Sequence, residues 1–207
     1  SITSTLWRQS KTKHRFIQKK AWKQHYAYRA SAQYGLAIAH FENQEYQKAK
    51  DILLVLLKED KNNLFYLDVL TDTYIALEEF DAALAMLAEK NLLMPNNQVV
   101  VLNYANTLIE AKQFEKAEHL LLDFLILNKG NFIGNDLLTT AYKEQKKMAM
   151  MHATKAEVYA LLGAYPRAID ELQTGYNFAG DKPLVRKRIK ARIIQFQEQE
   201  EKLKRLN

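Results

Sequence analysis

At 207 residues, 48% of them hydrophobic, the chain is long enough for one continuous core, and six Gly and three Pro are too few for a many-stranded sheet. No apolar run reaches the length of about 18 residues that reads as a membrane span, no apolar leader follows Ser1-Ile2-Thr3-Ser4, and the absence of cysteine excludes disulfides and thiolate metal sites, as suits an oxidising compartment. The net charge of +6 is uneven: residues 1–30 hold eight Lys or Arg and no acid, residues 181–207 hold nine against four acids, and the middle holds thirteen against twenty. An acidic body thus carries two basic ends. A chain that starts without Met is expected to be a fragment of a longer one or a processed form.

In chain order, residues 1–29 are expected to form a basic helical cap or linker. Trp7, Phe16, Ile17, Trp22 and Tyr26 interleave with Lys11, Lys13, Arg15, Lys19, Lys20 and Lys23, as in one or two amphipathic helices. Such aromatics could stack on nucleobases. The alternative, which the phosphate-repelling acidic body favours, is that Trp22 and Tyr26 seal the end of the domain that follows.

From Ala30 the chain repeats with a period of 34 residues. An aromatic recurs as Tyr46, Phe80 and Phe114, a small residue three later as Ala49, Ala83 and Ala117, and loop ends as Asn62-Asn63, Asn96-Asn97 and Gly130-Asn131. The expected core positions are Leu36, Ala37, Tyr46, Ala49, Leu53 and Leu56, then Leu67, Leu70, Tyr74, Phe80, Ala83 and Leu87, then Tyr104, Ala105, Leu108, Phe114, Ala117, Leu121 and Phe124. The alanines are read as close helix crossings, and the Asn pairs, with Pro95, as stops and caps. The fourth copy begins at Phe132 and departs from the pattern. Its second-helix signature falls on Met148-Ala149-Met150-Met151, and the recognisable one, Tyr165 with Ala168 and Leu172, arrives one and a half repeats after Phe114. One helix, 148–162, is therefore added or shared. It closes the fourth repeat and opens a half-repeat ending near Phe178. Pro183 then starts a last helix to about Leu206, with a stripe of Leu184, Ile189, Ile193, Phe196 and Leu203.

These spacings resemble the tetratricopeptide repeat, a helix, turn, helix unit that cannot bury its own apolar face and so stacks on its neighbours. The expected fold class is an all-α tetratricopeptide-repeat solenoid over 30–207, with about four repeats, a half-repeat and capping helices. The resemblance places groove-facing side chains at Ser31, Tyr34, Ile38, Phe41 and Glu42, at Phe65, Asp68, Asp72, Ile75 and Ala76, at Val99, Leu102, Asn106, Ile109 and Glu110, and at Ile133, Asp136, Thr140, Lys143 and Glu144. Of these, Tyr34, Phe65, Asp68, Asp72, Asn106 and Asp136 are the expected partner-binding residues. Repeats of chaperone cofactors clamp a C-terminal carboxylate with Lys and Asn. Here Asp68, Asp72 and Asp136 face only Lys143, so a polar or basic segment, or an extended strand, is the better guest.

No catalytic site is expected. The histidines His14, His25, His40, His119 and His152 include no pair four apart, there is no Gly-rich phosphate loop, and the carboxylates are scattered.

A narrower resemblance rests on Tyr34-Gly35-Leu36-Ala37, on Phe65-Tyr66-Leu67-Asp68 with Thr71-Asp72, on Leu102-Asn103-Tyr104-Ala105-Asn106, on Ala156-Glu157-Val158-Tyr159-Ala160-Leu161 with Ala168-Ile169-Asp170, and on Ala191-Arg192-Ile193-Ile194-Gln195-Phe196. Over residues 31–206 the chain is similar to the C-terminal repeat domain of the periplasmic beta-barrel assembly-enhancing zinc metalloproteases. The resemblance implies a periplasmic module that recruits a zinc metallopeptidase to outer-membrane barrel assembly components and unfolded barrel proteins. The zinc and its H-E-x-x-H belong to an N-terminal domain that this chain lacks, and that protease domain is itself an implied partner. Two other classes stay open: a generic adaptor unconnected with proteolysis, and a nucleic-acid binder using the basic ends, whose affinity would fall steeply with salt.

Overall fold

In the computed structural model residues 28–206 are described, and among them the chain is all-α. The first helix, α1, is described over 28–42. It is followed by α2 (Tyr46–Glu59), α3 (Leu64–Ala76), α4 (Phe80–Leu93), α5 (Gln98–Glu110), α6 (Phe114–Leu127), α7 (Phe132–Glu144), α8 (Met148–Leu161), α9 (Tyr165–Phe178) and α10 (Pro183–Leu206). The expected cap built on Trp22 and Tyr26, with most of the 1–29 segment, lies outside the described residues. The chain divides into two compact units, 1–78 and 79–207.

Two kinds of turn alternate, and each has its own chemistry. Helices α3, α5 and α7 are entered through Asn63, Asn97 and Asn131, whose side chains accept hydrogen bonds from the free first-turn amides at Phe65 and Tyr66, Val100 and Gly134. Before Asn97, Asn96 takes the left-handed conformation (φ 62°) that Asn tolerates. The second helices α2, α4, α6, α8 and α9 have no side-chain cap. Instead, the residue two before each of them is left-handed: Gln44, Glu78, Lys112, Lys146 and Gly163, with φ between 57° and 72°. The amides that follow close the preceding helix, as in Gln113 N–H to Leu108 O at 2.8 Å and Ala164 N–H to Tyr159 O at 2.9 Å, which is the Schellman arrangement.

That turn settles the irregular region. Lys146 marks α8 as the second helix of the fourth pair, and Gly163 marks the same α8 as the first helix of the next. The helix is shared, and Met151 takes the place that Ala83, Ala117 and Ala168 fill elsewhere. Only one of the five turns uses Gly, although a Cβ at positive φ costs about 1–2 kcal/mol. Replacing the exposed Lys112 by Gly is therefore expected to stabilise the protein by about 0.5–1 kcal/mol, after allowance for the greater freedom of Gly when unfolded. Urea unfolding measures it, and a loss of stability would contradict this account of the turn.

Burial follows the repeat register. In the first unit Ala37, Ala49, Leu53, Leu56, Leu67 and Leu70 are closed to water. Leu36, expected in the core, is 50% exposed, because it lies one position beyond the face that Ala37 presents. In the second unit one cluster joins Val101, Leu102, Ala105, Leu121, Phe124, Leu138, Tyr142 and Met151 across α5–α8. A second joins Ala156, Ala168, Ile169, Leu172, Ile189 and Phe196 across α8–α10. The stripe of α10 is buried only in its middle. Leu203 is exposed because the 24-residue α10 outruns the 14-residue α9 it packs on, and Leu184 is exposed because, five residues before Ile189, it falls off the face that Ile189 buries.

Three carboxylates pin neighbouring helices of the second unit together. Glu118 of α6 accepts from Gln145 Nε2 at 2.8 Å and Lys147 Nζ at 2.6 Å. Glu171 of α9 meets His152 Nδ1 at 2.7 Å and Lys155 Nζ at 2.8 Å. Glu157 of α8 takes both Nε (2.7 Å) and Nη2 (2.6 Å) of Arg192 on α10, a two-point bond that the planar guanidinium is shaped for.

Candidate functional site

In the first unit, α1 lies against the start of α3. The rings of Tyr34 and Tyr66 are 5.2 Å apart and tilted by 50°, and Tyr34 Oη donates to the Phe65 carbonyl at 3.5 Å. Phe65 is 73% exposed beside them. Asp68 and Asp72 follow at one-turn spacing on α3, both reaching solvent, with the Asp72 carboxyl in part desolvated by its surroundings. Their proximity has electrostatic consequences. Partial burial first and Asp68 second raise the Asp72 carboxyl above the usual aspartate range, and burial, then Asp68, raise the Tyr34 phenol. Four of the expected binding residues, Tyr34, Phe65, Asp68 and Asp72, thus form one aromatic and acidic patch.

Asn106 and Asp136 belong to the second unit, on α5 and α7, which pack on one another. Asn106 is half-buried and Asp136 exposed. Leu102 and Ile109, also expected to face a groove, are instead buried in apolar clusters, since α6 and α7 close over that side of α5.

Sequence reasoning missed a concave feature of the second unit. A cavity of about 260 Å³ lies between α8 and α10, with Met150, Ala153, Val185 and Ile189 as walls and Leu172 of α9 as floor, and the Glu157–Arg192 pair bridges one end. The Glu157 hydrogen bonds hold the Arg192 guanidinium charged, its pKa raised further. The half-repeat was legible, but the pairing of residues 35 apart on two helices was not.

The described residues contain no group of three His, Cys, Asp or Glu able to hold a metal, so the zinc of the metalloproteases has no ligand set in this part of the chain. His152 is stacked on Phe178, with centroids 5.4 Å apart, and engaged by Glu171, which accounts for it structurally. Burial tends to raise the Glu171 carboxyl, but hydrogen bonds from Lys155 and His152 outweigh it and hold the carboxyl below the usual range. No described helix is long and apolar enough to cross a membrane.

Comparison with known proteins agrees with this architecture. Residues 69–125 match the tetratricopeptide-repeat family. The chain is 31% identical over 174 residues to the beta-barrel assembly-enhancing protease of Escherichia coli, an alignment covering 84% of this chain and 36% of that protein. It is 32% identical over 172 residues to the putative beta-barrel assembly-enhancing protease of Vibrio cholerae, covering 83% and 36%. The chain therefore spans little more than a third of the length of these relatives. Among solved structures, MamA from Desulfovibrio magneticus superposes with a TM-score of 0.56 at 16% identity, covering 84% of this chain and 96% of that one. A tetratricopeptide repeat protein from Parabacteroides merdae gives 0.51 at 13%, covering 78% and 70%. At such identities these two speak for the fold alone. Helix pairs of 34-residue period, the family match and the relatives together make the chain a tetratricopeptide-repeat domain, similar to a stretch of little more than a third of the beta-barrel assembly-enhancing proteases.

Proposed function

We propose that this domain is the partner-binding module of a periplasmic zinc metalloprotease, and that it brings the protease to outer-membrane barrel assembly components and to unfolded barrel proteins. The observation that carries the reading is the 31% identity over 84% of the chain to a protein named for enhancing barrel assembly. Zinc and peptide cleavage belong, on this reading, to another domain of the parent, and the repeats supply a preformed surface that loses little entropy on binding.

Tyr34, Phe65, Asp68 and Asp72 are the residues we assign to the guest in the first unit, and Asn106 and Asp136 those in the second. The carboxylates favour a polar or basic segment, and Phe65 offers an exposed ring against which an extended chain can lie. With a photo-crosslinking amino acid in place of Phe65 in the full-length protein, Asp72→Lys is expected to cut partner capture severalfold, because reversing a charge at an interface costs more than removing it. The melting temperature should barely move, since Asp72 is exposed. Undiminished capture alongside an unchanged melting temperature would rule out this patch as the binding surface.

A further inference from the structure

The cavity between α8 and α10 has a chemistry opposite to that of the acidic patch. Its floor and walls, Leu172, Met150, Ala153, Val185 and Ile189, are apolar. Its volume of about 260 Å³ lies just below the range, from about 300 Å³ upward, in which whole small ligands are enclosed, so it suits one large apolar side chain. Met150 and Val185 also line a neighbouring recess of about 350 Å³, together with Lys146, Lys147, Met148, Phe178 and Lys182.

The cations around these two adjoining recesses are unequally engaged. Arg192 is neutralised by Glu157, and Lys147 is held by Glu118. Arg188 in the first recess and Lys146 and Lys182 in the second have no carboxylate within ion-pair distance among the described residues, and all three are exposed. An apolar slot rimmed by uncommitted cations attracts a guest of opposite charge and repels a basic one. The basic segment 1–30, with eight Lys or Arg and no acid, is thereby disfavoured as an occupant.

We propose that the α8–α10 cleft binds an acidic peptide segment of a partner protein, seating one large apolar side chain over Leu172 and its carboxylates on Arg188, Lys182 and Lys146. This is a second recognition site, independent of the acidic patch of the first unit and selective for the opposite charge. It does not depend on a link to proteolysis.

The test is fluorescence anisotropy with the 207-residue chain and a short fluorescein-labelled peptide of Glu residues flanking one central Phe. The comparison peptides carry Lys in place of Glu, or Ser in place of Phe. The acidic Phe peptide is expected to bind, to weaken with added salt, and to bind at least about tenfold more tightly than either comparison peptide. The double variant Arg188→Glu, Lys182→Glu should weaken it by a similar factor without lowering the melting temperature, because both side chains are exposed. Failure of the acidic peptide to bind, equal binding of the Lys peptide, or undiminished binding by the folded double variant would each overturn the proposal. Sedimentation showing a dimer of the chain that this double variant dissolves would also overturn it, by assigning the cleft to a second copy.

Discussion

Replacing Phe124 by Ala is expected to destabilise the second unit by about 3–5 kcal/mol, the usual cost of emptying a buried aromatic site. The ring is 1% exposed and sits in the cluster that joins α5, α6, α7 and α8. On its α7 side the fit is close: a Cβ built on Gly134 would stand 3.4 Å from Phe124 Cε1 and 3.2 Å from Leu125 Cδ2. Helices of fixed length cannot collapse into the vacated space without shifting a whole pair, so much of the cavity should persist. For a domain of this size the melting temperature should fall by roughly 10 °C. Phe132→Ala, at a site 43% exposed, is the control and should cost about 1 kcal/mol or less. Similar losses from both substitutions in urea unfolding would contradict the assigned core.

The second large effect concerns Gly175, where α9 crosses α8. A Cβ there would stand 3.1 Å from the backbone oxygen of Ala149 and 3.1 Å from His152 Cβ, and the former belongs to a helix that cannot yield locally. Gly175→Leu should therefore push the two helices apart and cost about 1–3 kcal/mol or more. The separation should also break the bonds from His152 and Lys155 to Glu171. Hydrogen exchange of α8 and α9 would locate the damage. Gly175→Ala is milder, because the gain of about 1 kcal/mol in helix propensity offsets part of the clash. Gly35 is helical, and a Cβ added to it would meet nothing within 4 Å, so Gly35→Ala should gain stability by that same propensity. Equal effects at the two glycines would refute the close crossing.

Much of this fold was legible because the repeat states it several times. Asn63, Asn97 and Asn131 recur at one register for a local reason, the capping of three equivalent helices, and Ala49, Ala83 and Ala117 recur for a packing reason. The shared helix α8 could be inferred from the displaced Tyr165 and Ala168, even with Met151 standing where a small residue was expected. The left-handed turns were hidden because Gln, Glu and Lys, which carry no signature of positive φ, occupy four of the five. Leu36, Leu102 and Ile109 were misplaced for a related reason: register assigns a side of the helix, but the neighbouring helix decides how wide a strip it covers.

The site was less legible than the fold. Tyr34, Phe65, Asp68 and Asp72 could be grouped because they fall on the first helices of two successive repeats, at groove-facing positions of the repeat register. The α8–α10 cleft could not, since its walls come from the half-repeat and a terminal helix outside the 34-residue period. Its bridge, Glu157 to Arg192, pairs residues with no shared motif.

The measurement that bears most directly on the central claim is zinc content and proteolytic activity of the full-length parent protein, purified beside the 207-residue chain alone. The account predicts about one zinc per parent molecule and cleavage of an unfolded barrel protein by the parent. It predicts neither zinc nor cleavage for the repeat chain alone. A parent without zinc or cleavage, or a repeat chain that cleaves alone, would contradict it.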